Sequence, residues 1–398
     1  LDTGGPVSTI SLPAGTQPTF VHSTQTDAVY VALRTTSGAP GSVGVIAPTL
    51  NQLAQTVPAG IEPVALAETP DRTRLYVVNK GGDSTSGGAG TVTVIATLDK
   101  RVLGSIRVGV APVYAIATSD SKYIFVLNRG SNSVSVISTA NNSQQLGEIP
   151  VGSSADTTDV PLTNPMYFDS RQQRLYVVNS TDGTLSVFDA SALPALPTAV
   201  SNSPVTLGQA GGPSPRPVSV VALADGSRAY VANSATGTVT VVNARSLTIN
   251  KTIPVGLNPV GIALSSDNTK VYAINRGDPD TPPTGNEVGT SVIRTSDDSV
   301  VLNILPPYQD PVKCTAQPWA ASTAYTVDAY IVPKAQPNGH VYQATNAGTS
   351  GTAEPTWCTT PGCTVEDNTG TSKIVWREVG EVSDSCQRQR PWFVTTGR

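Results

Sequence analysis

Few residues in this 398-residue chain are of types that perform chemistry. There are two histidines, His22 and His340, and four cysteines, Cys314, Cys358, Cys363 and Cys386. Histidines this few and this far apart argue against a paired-histidine metal or haem site. A Ser-His-Asp triad would have to recruit His22, and nothing in its neighbourhood argues for that. No Gly-x-Ser-x-Gly elbow, phosphate loop or His-Glu-x-x-His pattern is present. Two acidic stretches, Asp156 to Asp159 and Asp278-Pro-Asp280, carry oxygens that calcium could use. Neither follows the spacing of the helical calcium loop, so both read as solvated turns. The expectation is a non-enzyme with no catalytic residue, no metal site and no cofactor.

The cysteines carry a different message. All four lie beyond Pro306-Pro307, as do all four tryptophans, Trp319, Trp357, Trp376 and Trp392. This shift places a domain boundary there, with residues 1–307 as one domain and 308–398 as a small β module whose C-terminal tail returns to the first domain. Four cysteines allow three pairings. The Pro-Gly turn inside Cys358-Thr-Thr-Pro-Gly-Cys363 brings its ends together, which favours Cys358–Cys363, with Cys314–Cys386 clasping the module. Zinc is the rival reading. Cys-x4-Cys fits zinc spacing loosely and His340 is the one nearby histidine, so disulfides are preferred. They imply an oxidising compartment, hence an extracellular or cell-surface location.

Composition agrees with an all-β chain: 35 glycines and 32 prolines supply many turns. Only 14% of residues are charged and the net charge is −4, so neither a nucleic-acid footprint nor a polybasic membrane patch is expected. No apolar run approaches the ~20 residues of a membrane span. The chain opens at Leu1 with no signal peptide, which reads as a mature, processed chain. Asn-x-Ser/Thr sites occur at Asn179 and Asn250.

What positions these residues is a repeat. Leading prolines fall at Pro18, Pro63, Pro112, Pro165, Pro217 and Pro259. Their intervals lie near or somewhat above the ~40–45 residues of a four-stranded propeller blade. One unit reads Arg216-Pro-Val-Ser-Val-Val-Ala222, Arg228-Ala-Tyr-Val-Ala-Asn233, Gly237-Thr-Val-Thr-Val-Val242 and Lys251-Thr-Ile-Pro-Val-Gly256. In Leu75-Tyr-Val-Val-Asn79 both faces are apolar, as a strand covered by blades on each side requires. Gly90-Thr-Val-Thr-Val-Ile95 reads as a third strand nearer the rim. The recurring Asn79, Asn128, Asn179, Asn233 and Asn275 read as scaffold, since Asn tolerates left-handed backbone and bonds its own turn. Seven blades are favoured, with six as the alternative. Ser8 to Gly15 would be a spare fourth strand, completed by Pro391-Trp-Phe-Val-Thr395 or left to pair with a neighbouring molecule.

Tyr76-Val-Val-Asn79, Tyr176-Val-Val-Asn179 and Tyr230-Val-Ala-Asn233 resemble the Tyr-Val-Thr-Asn repeats of YVTN-family β-propellers, over roughly residues 8–306. That resemblance implies a secreted or surface-layer-like protein. The sequence departs from the pattern at Leu33, where the first unit should carry Asn, and in the long loop Gly277 to Gly289. Trp319-Ala-Ala-Ser-Thr-Ala-Tyr325, Asn338-Gly-His-Val-Tyr342 and the stretch ending at Trp357 resemble small carbohydrate-binding modules of types 5 and 12. The sugar-stacking aromatic those modules carry is replaced here by Ala344-Thr-Asn-Ala347. Tyr325, Tyr342 and Trp376 then read as a mini-core, and Trp319, Tyr330 and Trp357 as the candidate ligand-binding platform.

The function expected from all this is structural: self-association into a layer or filament. The alternatives are an adhesin that binds cell-surface glycan through the C-terminal module, and a lactonase-like propeller enzyme. The last is disfavoured because the repeat starts offer Pro, Val and Ala where an enzyme needs converging acids or histidines.

Overall fold

A computed structural model describes residues 9–23, 28–47, 49–81, 88–140, 144–153, 164–208, 212, 214–277, 288–305, 316–367 and 373–381. The described secondary structure is all β, and no described helix is long and apolar enough to cross a membrane. Among these residues the chain divides into two compact units. One holds the described residues up to Asn275 and Ser291–Leu302, the other those of Arg276–Thr290 and Asn303–Pro391.

The repeat becomes a series of antiparallel sheets, each strand pairing with the next in sequence. Blade 1 comprises Thr16–Ser23, Val29–Thr35, Pro40–Ala47 and Gln52–Ile61; blade 2 comprises Pro63–Glu68, Arg74–Asn79, Ala89–Ala96 and Val102–Val110. Blade 3 runs through Pro112–Ala117, Tyr123–Asn128, Ser133–Ser138 and Gln144–Pro150. In blade 4, Met166–Asp169, Arg174–Asn179 and Thr184–Asp189 are followed by a broken fourth strand, Thr198–Ala199 and Val205–Thr206. Blade 5 is Pro217–Ala222, Arg228–Asn233, Thr238–Asn243 and Ile249–Pro254; blade 6 is Pro259–Leu264, Lys270–Arg276, Val288–Arg294 and Ser299–Ile304. From blade 1 to blade 6, the first strand of each blade lies against that of the next. Among the described residues each first strand stands at the end of its sheet and pairs only with the second strand.

The second strands show why the sequence folds this way. Leu75, Tyr76, Val77, Val78 and Asn79 are all fully buried. Tyr76 and Val78 pack with Ile124 and Val126 of blade 3, whereas Leu75 and Val77 pack with Tyr30 and Ala32 of blade 1. One strand thus feeds two inter-blade cores, with each buried side chain contributing about 1.5–3 kcal/mol of burial.

The asparagine that ends this strand is indeed scaffold, but by a different device from the one its type implies. Asn79 Nδ2 donates to Thr91 Oγ1 (3.1 Å) and Thr93 Oγ1 (3.0 Å) of the third strand. Asn128 does the same with Ser133 and Ser135, Asn179 with Thr184 and Ser186, and Asn233 with Thr238 and Thr240. The alternate Thr and Ser of the third strand therefore take the two N–H groups of a buried amide, while Oδ1 of Asn128, Asn179 and Asn233 finds no partner among the described residues. On its other side the Asn presses on the last glycine of the preceding blade. A Cβ on Gly60, Gly109 or Gly152 would lie 2.7 Å from Cγ of Asn79, Asn128 or Asn179. Blade 1 lacks this lock, and its Leu33 is a fully buried apolar residue instead.

Thr9–Gly15 form no strand. Thr16 N–H bonds to Pro13 O, and Gly15 is left-handed (φ 73°), so a turn replaces the expected spare strand. Ser8 and Pro391 to Thr395 lie outside the described residues.

In the second unit, Gln317–Pro318, Tyr330–Val332, His340–Ala344, Ile374–Glu381 and Thr364–Asp367 form one mixed sheet in that order, and Ala324–Tyr325 pairs with Gly348–Thr349. Its core holds Trp319, Ile331, Tyr342, Ala344, Ile374 and Trp376. Cys358 and Cys363 are joined by a disulfide, as the Pro-Gly turn predicts. Cys314 and Cys386 lie outside the described residues.

Candidate functional site

The expected aromatic platform does not assemble as one surface. Trp319 is 5% exposed, and its Nε1–H donates to the buried Asp367 Oδ2 at 2.7 Å. Trp376 Nε1 shares the same oxygen at 3.2 Å. A buried carboxylate that takes both indole N–H groups fixes Trp319 in the core, so it cannot stack on a ligand. Trp357 is half-buried, 4.5 Å from Tyr342 between ring centroids, with its Nε1 on Glu354. Tyr330 is half-buried in its strand. Of the glycosylation-type asparagines named above, Asn179 is fully buried and Asn250 lies exposed in the fourth strand of blade 5. The acidic stretches 156–159 and 278–280 lie outside the described residues.

A candidate site emerges instead where the first strands begin. The residue before the leading proline is left-handed in five blades: Glu62 (φ 53°), Ala111 (48°), Asn164 (53°), Arg216 (52°) and Asn258 (49°). Such backbone is uncommon outside glycine. In three blades it is held by the hairpin between second and third strands. Lys80 N–H, Arg129 N–H and Ser234 N–H bond to the carbonyls of Glu62, Ala111 and Arg216 at 2.9–3.0 Å. The next residues, Gly81, Gly130 and Ala235, bond one carbonyl further back. The backbone is thus the same from blade to blade while the side chain it presents changes from acid to amide to cation. A fixed frame that displays different groups around one axis is how a propeller builds a site.

Charge is concentrated at Glu62. Lys80 Nζ lies 3.6 Å from Glu62 Oε1, and Arg34 of blade 1 lies 4.0 Å from the same oxygen. Both cations directly follow the last buried residue of their second strand, Leu33 and Asn79. Between blades 3 and 4, the Tyr114 hydroxyl donates to Asn164 Oδ1 at 2.7 Å, and burial pushes that phenol's pKa well above its ordinary value. At the opposite ends of the first strands, His22 Nε2 stands 3.4 Å from Glu68 Oε2, linking blades 1 and 2. No cluster of three or more His, Cys, Asp or Glu that would hold a metal occurs among the described residues.

Sequence reasoning missed Glu62, Lys80, Arg34 and Glu68, although aligned repeats carry the signal. Glu62 stands where the other blades have Gln, Ala, Asn or Arg, and Glu68 ends a first strand where Ser23, Ala117, Asp169, Ala222 and Leu264 end the others. A repeat position whose chemistry changes from blade to blade is a better site candidate than one that recurs.

Comparison with known proteins adds a family. The profile described as "Lactonase, 7-bladed beta-propeller" matches residues 48–280. No curated protein matches the chain. Among solved structures, a periplasmic gluconolactonase of Pseudomonas aeruginosa is 17% identical, with 92% of this chain and 96% of that one covered and a TM-score of 0.48. A putative 6-phosphogluconolactonase of Bacteroides uniformis is 14% identical, with 82% and 88% covered and a TM-score of 0.48. A protein from Lactobacillus plantarum is 13% identical, with 80% and 91% covered and a TM-score of 0.49. Likenesses at this level do not speak to substrate. The family match overturns the expected non-enzymatic role, and with it the layer- or filament-forming protein and the glycan adhesin. The inference from an apolar channel lining failed because Glu62 and Arg216 sit just before the leading prolines and not in the apolar runs that follow them. The seven-bladed propeller favoured from the repeat is this family's fold, and the chain belongs to the family of seven-bladed β-propeller lactonases.

Proposed function

We propose that the chain is a hydrolase that opens lactones, with Glu62 as the base that activates water. The observation that carries this reading is the lactonase family match, which spans the blades that present Glu62, Lys80, Asn164 and Arg216. Glu62 accepts a proton from water as the water oxygen bonds to the lactone carbonyl carbon. The Lys80 ammonium, 3.6 Å from Glu62, lies where it can meet the charge that develops on the carbonyl oxygen. The ring C–O bond then breaks, the proton passes from Glu62 to the leaving alkoxide, and a hydroxy acid results. The lactonase family match makes small lactones, those of sugar acids among them, the first substrates to try. The Cys358–Cys363 bridge supports residence in an oxidising compartment.

The test is acid release from glucono-1,5-lactone and a panel of small γ- and δ-lactones, corrected for spontaneous opening. Catalysis by the purified chain is expected, reduced about 10²–10⁴-fold by Glu62→Gln. A chain that accelerates none of them is not a lactonase. Full activity in Glu62→Gln with loss in His22→Gln would move the base to the His22–Glu68 end.

A further inference from the structure

The second unit contains an acid–base pair that the propeller site does not use. His340 Nδ1 lies 3.0 Å from Glu378 Oε1. Glu378 is 3% exposed, and its carboxylate also accepts Gly380 N–H at Oε1 (2.7 Å) and Gly362 N–H at Oε2 (2.9 Å). Burial alone would raise its pKa, but the bonds from His340, Gly362 and Gly380 outweigh this and hold it below the usual carboxylate range. An ionised carboxylate only accepts hydrogen bonds, so the proton in the His340–Glu378 bond belongs to Nδ1. In the neutral ring Nε2 then carries the lone pair, and the ring makes no other hydrogen bond among the described residues.

The pair borders a cavity of about 640 Å3 lined by His340, Thr359, Pro361, Gly362, Glu378 and Gly380. One wall is the disulfide loop, held in place by Gly362 N–H on Glu378, by Glu378 N–H on Cys363 O (2.8 Å) and by the Tyr342 hydroxyl on Cys358 O (2.6 Å). A carboxylate-oriented imidazole can serve a metal or act as a base. No third or fourth metal ligand is found here among the described residues. An anion site is disfavoured because the buried Glu378 charge lies against the imidazole. Base chemistry is left.

From this geometry we infer that His340 is the general base of a second hydrolytic site, one for small open-chain acyl esters, with Glu378 as its positioning residue. His340 Nε2 takes a proton from water as the water oxygen bonds to the acyl carbon. The ester C–O bond breaks, and the alcohol leaves with that proton. Glu378 keeps its charge throughout and stabilises the transient imidazolium.

The test uses the full chain and p-nitrophenyl acetate. His340→Gln is expected to lower the rate above background about a hundredfold, and Glu378→Gln about tenfold. Lactone opening by the propeller is expected to be unchanged in both, so failure here is distinguishable from failure of the lactonase reading. With two histidines in the chain, ring 15N shifts report the tautomer directly. The Nδ1–H form is expected in the parent protein and a mixture of tautomers in Glu378→Gln, an effect that loss of packing alone would not produce. An unchanged ester rate in His340→Gln, or the Nε2–H tautomer in the parent, would overturn the inference.

Discussion

The two ends of the propeller blades are built on opposite principles. At the end where first and second strands join, the side chains repeat. Asp71 accepts Thr69 Oγ1 and Thr73 N–H, Asp120 accepts Thr118 Oγ1 and Lys122 N–H, and Asp225 accepts Ser227 N–H. Asp267 accepts Ser265 Oγ and Thr269 N–H, and the buried Asp169 accepts Arg171 N–H and Gln172 N–H. From the same end Arg74 reaches Thr139 O, Arg174 reaches Ala244 O, and Arg228 Nη1 donates to both oxygens of Asp298 at 2.8 Å, each tying one blade to the next. At the other end the backbone repeats while the side chains vary: Glu62, Ala111, Asn164, Arg216, Asn258. Uniform side chains mark scaffold. Uniform backbone with changing side chains marks the end that was free to acquire chemistry.

This contrast can be broken by substitution. The largest effect is expected at Glu62, where Gln should abolish most lactone opening while changing stability by no more than about 0.5 kcal/mol, as for an ordinary surface change. Loss of fold with loss of activity, read by thermal melting beside the assay, would make Glu62 scaffold. Next comes Arg228→Met. It strands Asp298, which also accepts the Tyr230 hydroxyl, and should cost about 2–3 kcal/mol in denaturant titration while leaving the lactone rate intact. Gly109→Ala should cost about 1–3 kcal/mol, because its Cβ meets Ser131 Oγ at 2.4 Å and Asn128 Cγ at 2.7 Å. Removing the clash by adding Asn128→Ala should make the pair non-additive. Simple additivity would disprove the Asn–Gly lock.

The smallest effect is in acid. Hydrogen bonds from Ser265 and Thr269 depress the Asp267 carboxyl to about 2, and those from Ser227 lower Asp225. Burial opposes the shift at Asp71 and Asp120, but their Thr and backbone bonds still carry them below the ordinary 3.8. Groups with depressed folded-state pKa contribute stability that is present above the ordinary carboxylate pKa and fades as pH falls through the depressed values. The melting temperature should therefore drop between about pH 4 and pH 2. Changing Asp71, Asp120, Asp225 and Asp267 together to Asn should flatten that slope, and an unchanged slope would show that the turns do not carry it.

Much of the fold was legible because it is local and repeated. The Leu-Tyr-Val-Val-Asn strands, their Thr- and Ser-bearing partners and the Pro-Val-Gly ends recur often enough that chance cannot produce them. The module's disulfide was legible because Cys358 and Cys363 flank their own turn. The site was not. Arg34, Glu62 and Lys80 are brought together from two blades, and no one of them is unusual in its own segment. Trp319 looks exposed in sequence because the Asp367 that buries its N–H lies 48 residues away.

Alternation and turn chemistry act over a few residues, so the sequence alone determined the blades, their order and the structural nature of the asparagine ring. Charge meeting charge depends on which strand ends share the axis, and only the tertiary structure decided that. It set Glu62 between two cations, placed His340 on a buried carboxylate and drew Trp319 out of the expected platform into the core. Each of these outcomes is a contact between distant segments, whose energy comes from desolvation and from partners that no local pattern names.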